Sequence, residues 1–169
     1  MHTIFSFNSS HPQSTSLMSL SGSYVVPSIL KIKLLEDSAK MPTRAHSTDL
    51  GYDLYALETM YIPFGKPVKI RTGIAVEFPK GYGAFIKDRS SMASKGLATI
   101  GGVIDETYTG EISVIMLNLN FSFFKKKIIH KGDKIAQLVP IQTVNWDIEV
   151  VEELSVGERG NKGFGSSGK

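Results

Sequence analysis

The run Lys87-Asp88-Arg89-Ser90-Ser91 sets a guanidinium and two hydroxyls directly ahead of Met92-Ala93-Ser94-Lys95, a stretch that reads as one or two helical turns stopped by Gly96. A helix start presents free N–H groups and positive dipole, so Arg89 and the serines stand where an anion can be met. Ser90 or Ser91 serving as an ordinary N-cap accounts for the same residues. Further on, Gly102-Val103-Ile104-Asp105-Glu106-Thr107-Tyr108-Thr109-Gly110 carries two carboxylates and a tyrosine on a turn between apolar runs, which a polar hairpin tip also explains. Asp49 and Asp53 flank Gly51 and, as strand neighbours, would share a face; both could equally be turn residues.

The tail from Arg159 to Lys169 holds glycines at 160, 163, 165 and 168. Its formal matches to phosphate-loop patterns fail, because those loops act by opening a helix and no residues follow to form one. Its composition still suits phosphate: glycine lets successive N–H groups share a concavity, Ser166 and Ser167 donate, and Arg159 offers a bidentate fork. Phe164 is the tail's single large apolar residue and could stack on a base. A plain Gly/Ser terminus is the alternative reading.

Composition narrows the chemistry further. With no cysteine there is no disulfide, no thiol catalysis and no sulfur-ligated zinc. His2, His11, His46 and His130 lie too far apart for a paired metal motif. A net charge of +3 favours anionic ligands but is too small for a nucleic-acid footprint. Arginine occurs only at 44, 71, 89 and 159, so each is worth accounting for.

The elements that must position these residues are strands. Ile29 to Leu34, Ile74 to Phe78, Tyr82 to Ile86 and Trp146 to Val150 alternate or run apolar in short stretches. Glu111 to Leu119 is apolar on both faces, as a strand covered on two sides would be. Pro63 to Pro67, Pro79 to Gly83, Gly101-Gly102 and Lys131-Gly132-Asp133 punctuate them. Lys125-Lys126-Lys127 reads as a solvated edge. The expectation is an all-β, jelly-roll-like distorted barrel with at most one short helix, and 169 residues suffice for one core. Residues 1–28 contain nine serines and no charged side chain except neutral-range histidine, so they read as a flexible extension without the features of a secretory or mitochondrial signal. The division expected is 1–28 extension, 29–156 β domain and 157–169 mobile glycine-rich lid. No apolar stretch reaches the ~20 residues that span a bilayer. A soluble cytoplasmic protein is expected, with nuclear or organellar placement left open.

The order of the motifs is specific. Gly51-Tyr52-Asp53-Leu54-Tyr55-Ala56, Asp88-Arg89-Ser90-Ser91-Met92-Ala93, Gly102 to Gly110, Gly132-Asp133-Lys134-Ile135-Ala136-Gln137-Leu138-Val139, and Arg159-Gly160 with Gly163 to Gly168 together resemble the five motifs of trimeric dUTPases, over about residues 29–169. The resemblance implies a homotrimeric jelly roll with shared sites, tails reaching to neighbouring subunits, and hydrolysis of dUTP to dUMP and diphosphate by water attack at the α-phosphate. That activity limits uracil incorporation into DNA and supplies dUMP for dTMP synthesis. It implies that Asp105 orients and deprotonates the water, that Asp53 holds water on a Mg2+ bound to the triphosphate, and that Gln137 lies near the α-phosphate. Arg89, Ser90 and Ser91 would line the phosphates, backbone from Ile100, Gly101, Gly102, Val103 and Ile104 would read uracil, and Tyr108 would pack on the deoxyribose. Arg159, Phe164, Gly165, Ser166 and Ser167 would close over the nucleotide. No nucleic acid or membrane partner is implied.

Where proline is usual in the second motif this sequence has Asp88, and Ser91 stands in place of glycine. A carboxylate beside a phosphate site is tolerable only if it faces away. Two rivals remain. A dCTP deaminase would need a catalytic glutamate at the position that seems to match Ile115, and isoleucine cannot shuttle protons. A dUTPase-like module that docks on a regulatory protein is the other, left open by the N-terminal extension.

Overall fold

A computed structural model describes residues 29–121 and 127–155. The strands are β1 Lys31–Leu34, β2 Tyr52–Tyr55, β3 Met60–Ile62, β4 Val68–Glu77, β5 Tyr82–Asp88, β6 Leu97–Thr99, β7 Val103–Ile104, β8 Glu111–Asn118, β9 Lys127–Ile129 and β10 Lys134–Gln142, with helix α1 Ser90–Ala93 between β5 and β6. They form one sheet ordered β1-β4-β8-β6, a second ordered β2-β10-β5-β7, and a β3-β9 ribbon. Neighbouring strands in these sheets pair antiparallel. The architecture is the expected all-β jelly-roll-like one.

The core lies between the sheets. Ile70, Ile74, Ile112, Val114 and Met116 of the first face Leu54, Ala84, Ile86, Ala136 and Leu138 of the second in one buried cluster, which Ile62 and Ile129 of the ribbon join. Burying such aliphatic side chains contributes roughly 1.5–3 kcal/mol each. Asn118, buried at the end of β8, donates from its amide to the Ile62 carbonyl at 3.0 Å and so ties the ribbon to the first sheet.

A bulge in β4 accounts for its length without strain. Its register on β8 shifts between Arg71 and Ala75, and Gly73 adopts φ +70° inside that interval. A Cβ at Gly73 would come within 2.9 Å of both Ala39 and Leu57. The Gly73 N–H donates to Glu111 at 2.9 Å, and Arg71 lies between Glu111 and Glu36 at 3.0 and 2.6 Å.

Four sequence expectations are corrected. β8 buries only Ile112, Val114, Met116 and Asn118, while Ile115 on its other face is 40% exposed, so this strand is packed on one side. Trp146 to Val150 forms no strand, and Trp146, Ile148 and Val150 stand in solvent, because among the described residues no strand lies beside them. Asp49 belongs to a turn before β2, accepting the His46 N–H at 2.9 Å, and so does not share a strand face with Asp53. The segment Asp105 to Gly110 leads from β7 in one sheet to β8 in the other, and is therefore a crossing between layers instead of a hairpin tip. Lys127 opens β9 opposite Ile62; Lys125 and Lys126 lie outside the described residues. Among the described residues, no helix is long and apolar enough to cross a membrane.

Candidate active site

Three adjacent strands of the second sheet assemble an ionic cluster. Gln137 of β10 sits opposite Asp53 of β2 on one side and Lys87 of β5 on the other, which puts the three side chains on one sheet face. Asp53 is only 5% exposed, so its charge must be matched. Arg89 donates from Nε to Asp53 Oδ1 at 2.8 Å, and Lys134 reaches Oδ2 at 2.8 Å. The hydrogen bond to Asp53, followed by the attraction of its charge, raises the Lys134 amine above its ordinary pKa despite some desolvation. Both cations keep a solvent-facing side. An arriving polyanion would find two positive side chains already in place.

The start of α1 differs from the sequence reading. Arg89, in extended backbone, is the N-cap and makes no side-chain cap bond; Ser90 and Ser91 fall inside the first turn. Their hydroxyls are thereby not spent on capping. Ser91 Oγ takes a 3.3 Å bond from Arg89 instead, and Ser90 is exposed.

A second component is a cavity of about 260 Å³ lined by Ile86, Ile100, Gly102, Val103, Ile104, Asp105 and Tyr108, with Lys69, Glu111, Ser113 and Ile115 of β4 and β8 completing its wall. Its shape depends on Gly102, at φ +92°, whose carbonyl accepts the Ile86 N–H at 2.7 Å. A Cβ there would lie 2.9 Å from both the Cβ and the carbonyl oxygen of Ile86. Ile100 N–H bonds to the Ile115 carbonyl at 2.9 Å, anchoring the other end of the loop on β8. Asp105 closes a turn by accepting the Tyr108 N–H at 3.1 Å, and the Tyr108 hydroxyl donates to the Glu111 carbonyl at 3.0 Å. Apolar walls with backbone polar groups suit a planar heterocycle, and an exposed carboxylate at the wall can take a proton from water.

The structure therefore brings the expected residues into two groups: Asp53, Gln137, Arg89, Ser90 and Ser91 around the cations, and Ile100, Gly102, Val103, Ile104, Asp105 and Tyr108 around the cavity. Gly101, at the loop apex, is exposed and does not line the cavity. Strand β5 joins the groups, since Ile86 lines the cavity and Arg89 follows the strand's last residue. Arg159, Phe164, Gly165, Ser166 and Ser167 lie outside the described residues. Asp88, whose place beside the second motif was in question, accepts both the N–H and the hydroxyl of Thr99 on its Oδ1, at 2.5 and 2.6 Å. Sequence reasoning missed Lys134, although it stands in the Gly132 to Val139 motif; what singles it out is the pairing of β10 with β2.

Comparison with known proteins gives the family. The family model described as dUTPase matches residues 37–168. Over 143 residues the chain is 44% identical to a Clostridium tetani protein named deoxyuridine 5'-triphosphate nucleotidohydrolase, covering 83% of this chain and 97% of that one. The dUTPase of Staphylococcus bacteriophage 80alpha, solved with dUPNHPP, matches with a TM-score of 0.74 at 33% identity, over 84% of this chain and 99% of its own. A mutant dUTPase of S. aureus phage phi11, solved to show coordination of a structural Mg(II) ion, matches with a TM-score of 0.70 at 29% identity, over 75% of this chain and 98% of its own. Because the family model matches residues 37–168 and both the sequence relatives and the solved folds are dUTPases, the chain belongs to the dUTPase family.

Proposed function

We infer that the protein is a dUTP diphosphatase: water adds to the α-phosphorus of dUTP, the bond from that phosphorus to the bridging oxygen breaks, and dUMP and diphosphate leave. Family membership supports the reaction, and one structural observation carries its placement: Asp105 and Tyr108 stand on the wall of a loop-lined cavity whose strand β5 runs directly into the Arg89–Asp53–Lys134 cluster. Uracil enters the cavity, where loop N–H and C=O groups match its edge; cytosine, with donor and acceptor exchanged, would leave buried polar groups unpaired. Tyr108, tied to the Glu111 carbonyl, forms a fixed wall for the sugar. Arg89, with Ser90 and Ser91, receives the phosphates, and Gln137 lies on the same sheet face as Asp53, toward the α-phosphate. Asp105 takes the proton of the attacking water. The glycine-rich tail, with Arg159, Phe164, Gly165, Ser166 and Ser167, closes over the nucleotide and excludes bulk water.

Magnesium fits this donor set as an ion carried by the triphosphate. Among the described residues no three His, Asp or Glu side chains gather into a cage, and the one buried carboxylate, Asp53, already engages a cation on each oxygen. Asp53 would act on it through water, and the ion, when bound, neutralises phosphate charge. The deaminase alternative loses ground in the cavity itself. Ile115 does line it, and offers no group to move a proton.

The functional assembly is a trimer with shared sites, working in the cytoplasm. Trp146, Ile148 and Val150, 82, 95 and 97% exposed, support an arm that a neighbouring subunit covers.

Purified protein given dUTP or dCTP with magnesium should yield dUMP and diphosphate from the first, cleave the second far more slowly and deaminate neither. Asp105→Asn should keep binding of a non-hydrolysable dUTP analogue while turnover falls by about 10²–10⁴-fold, the usual contribution of a general base. Near-normal turnover in that variant removes Asp105 from the chemistry.

A further inference from the structure

We propose that Asp88 is a positioning residue that sets the distance between the base-reading loop and the phosphate-binding arm, a role that rests on the dUTP reading above. Asp88 is the last residue of β5 in the second sheet, and the next residue is Arg89. Thr99 is the last residue of β6 in the first sheet, and the next residue is Ile100, where the cavity loop begins. One carboxylate oxygen, Asp88 Oδ1, accepts the Thr99 N–H at 2.5 Å and the Thr99 hydroxyl at 2.6 Å. The bond pair therefore crosses from sheet to sheet at the one point where both halves of the site leave their strands.

Two donors from a single residue converge on one oxygen, so ordering Thr99 once secures both bonds. A charged acceptor makes each stronger than its neutral counterpart. Thr99 is fixed on its far side by its pairing with Met116 of β8, and Ile100 by its bond to Ile115. Asp88 is likewise held opposite Ala136 of β10. Neither partner can drift without pulling a sheet with it. A nucleotide bound at both ends reads the spacing between its base site and its phosphate site, and small misplacement is costly when both must be engaged together. Asp88 touches neither end in this arrangement. It acts by holding Thr99, and through it Ile100 to Val103, in register with Arg89 and Ser90.

The test is steady-state kinetics of the full-length enzyme on dUTP and dCTP, with Asp88→Ala, Asp88→Asn and Thr99→Val beside wild type. Asp88→Ala should raise the KM for dUTP about tenfold and lower the preference for dUTP over dCTP in kcat/KM, while kcat changes little, as loss of a charged hydrogen-bond pair outside the chemistry would do. Asp88→Asn keeps an acceptor oxygen and should restore KM and preference to within about threefold. Thr99→Val keeps the N–H and loses the hydroxyl, so it should fall between; it also decides the matter if Asp88→Ala does not fold. A merely structural Asp88 would lower melting temperature or active fraction and leave KM and preference unmoved, and that result overturns the proposal. So does an Asp88→Asn variant as impaired as Asp88→Ala. Wild-type enzyme that leaves dUTP uncleaved defeats the functional reading itself and this role with it, an outcome distinct from any difference among variants.

Discussion

Lys134 owes its importance to where Asp53 is buried. A carboxylate at 5% exposure needs compensation, and Arg89 and Lys134 supply it on opposite oxygens. Because the Lys134 amine is raised in the folded state, this ion pair's contribution is full below the unfolded lysine pKa of about 10.4 and is lost as pH climbs through the folded value. Lys134→Met should therefore flatten the loss of melting temperature between about pH 9 and 12 relative to wild type. Parallel curves for the two proteins would show that the pair does not couple to folding. Asp53 was legible from the company it keeps in Gly51 to Ala56. Its partner Lys134 was not, since a cation separated from it by strands β3 to β9 becomes a neighbour only once β10 is known to lie beside β2.

At the scale of elements, the glycine pair at the start of the cavity loop separates two effects that sequence alone merges. Gly101 and Gly102 both have positive φ, at +71° and +92°, but a Cβ on Gly101 meets open space and one on Gly102 meets Ile86. Gly101→Ala should cost only backbone strain, about 1–2 kcal/mol. Gly102→Ala adds a clash with the Ile86 backbone and should cost more, about 2–4 kcal/mol, and also weaken binding of a non-hydrolysable dUTP analogue because the loop must shift. Urea melts and a binding titration on both variants check this; equal stability losses would mean that the close approach to Ile86 is easily relieved. The Pro and Gly clusters and the alternating runs around Ile74 and Tyr82 made β4 and β5 readable. β3, β6, β7 and β9, at two or three residues each, are too short for any period to register. β8 was misjudged on its second face because that face borders a cavity, and a cavity wall has the same apolar composition as a packed layer.

For the whole molecule, the segment from Trp146 to Leu154 poses a question that one chain does not answer. Trp146, Ile148 and Val150 alternate with Asp147 and Glu149, which reads in sequence as a half-exposed strand, yet the structure forms no strand there. Leu154 beyond them is also exposed. Covering each large apolar side chain is favourable by roughly 1.5–3 kcal/mol, so a neighbouring subunit that shelters three or four of them gains enough to offset much of the cost of association. β1 offers one place for such an arm, because among the described residues it is an edge strand paired only with β4. The doubly substituted variant Trp146→Glu with Ile148→Glu puts charges on the face that must be buried. Light scattering should find wild type at the mass of three 18.5 kDa chains and the variant as monomer. Its β-sheet circular dichroism should be unchanged, because neither side chain contributes to the core between the sheets. Hydrolysis of dUTP should fall with the loss of assembly, since shared sites come apart when subunits do. A variant that stays trimeric would show that the arm is not what joins the subunits, and a monomeric, fully active wild type would show that the site is complete within one chain.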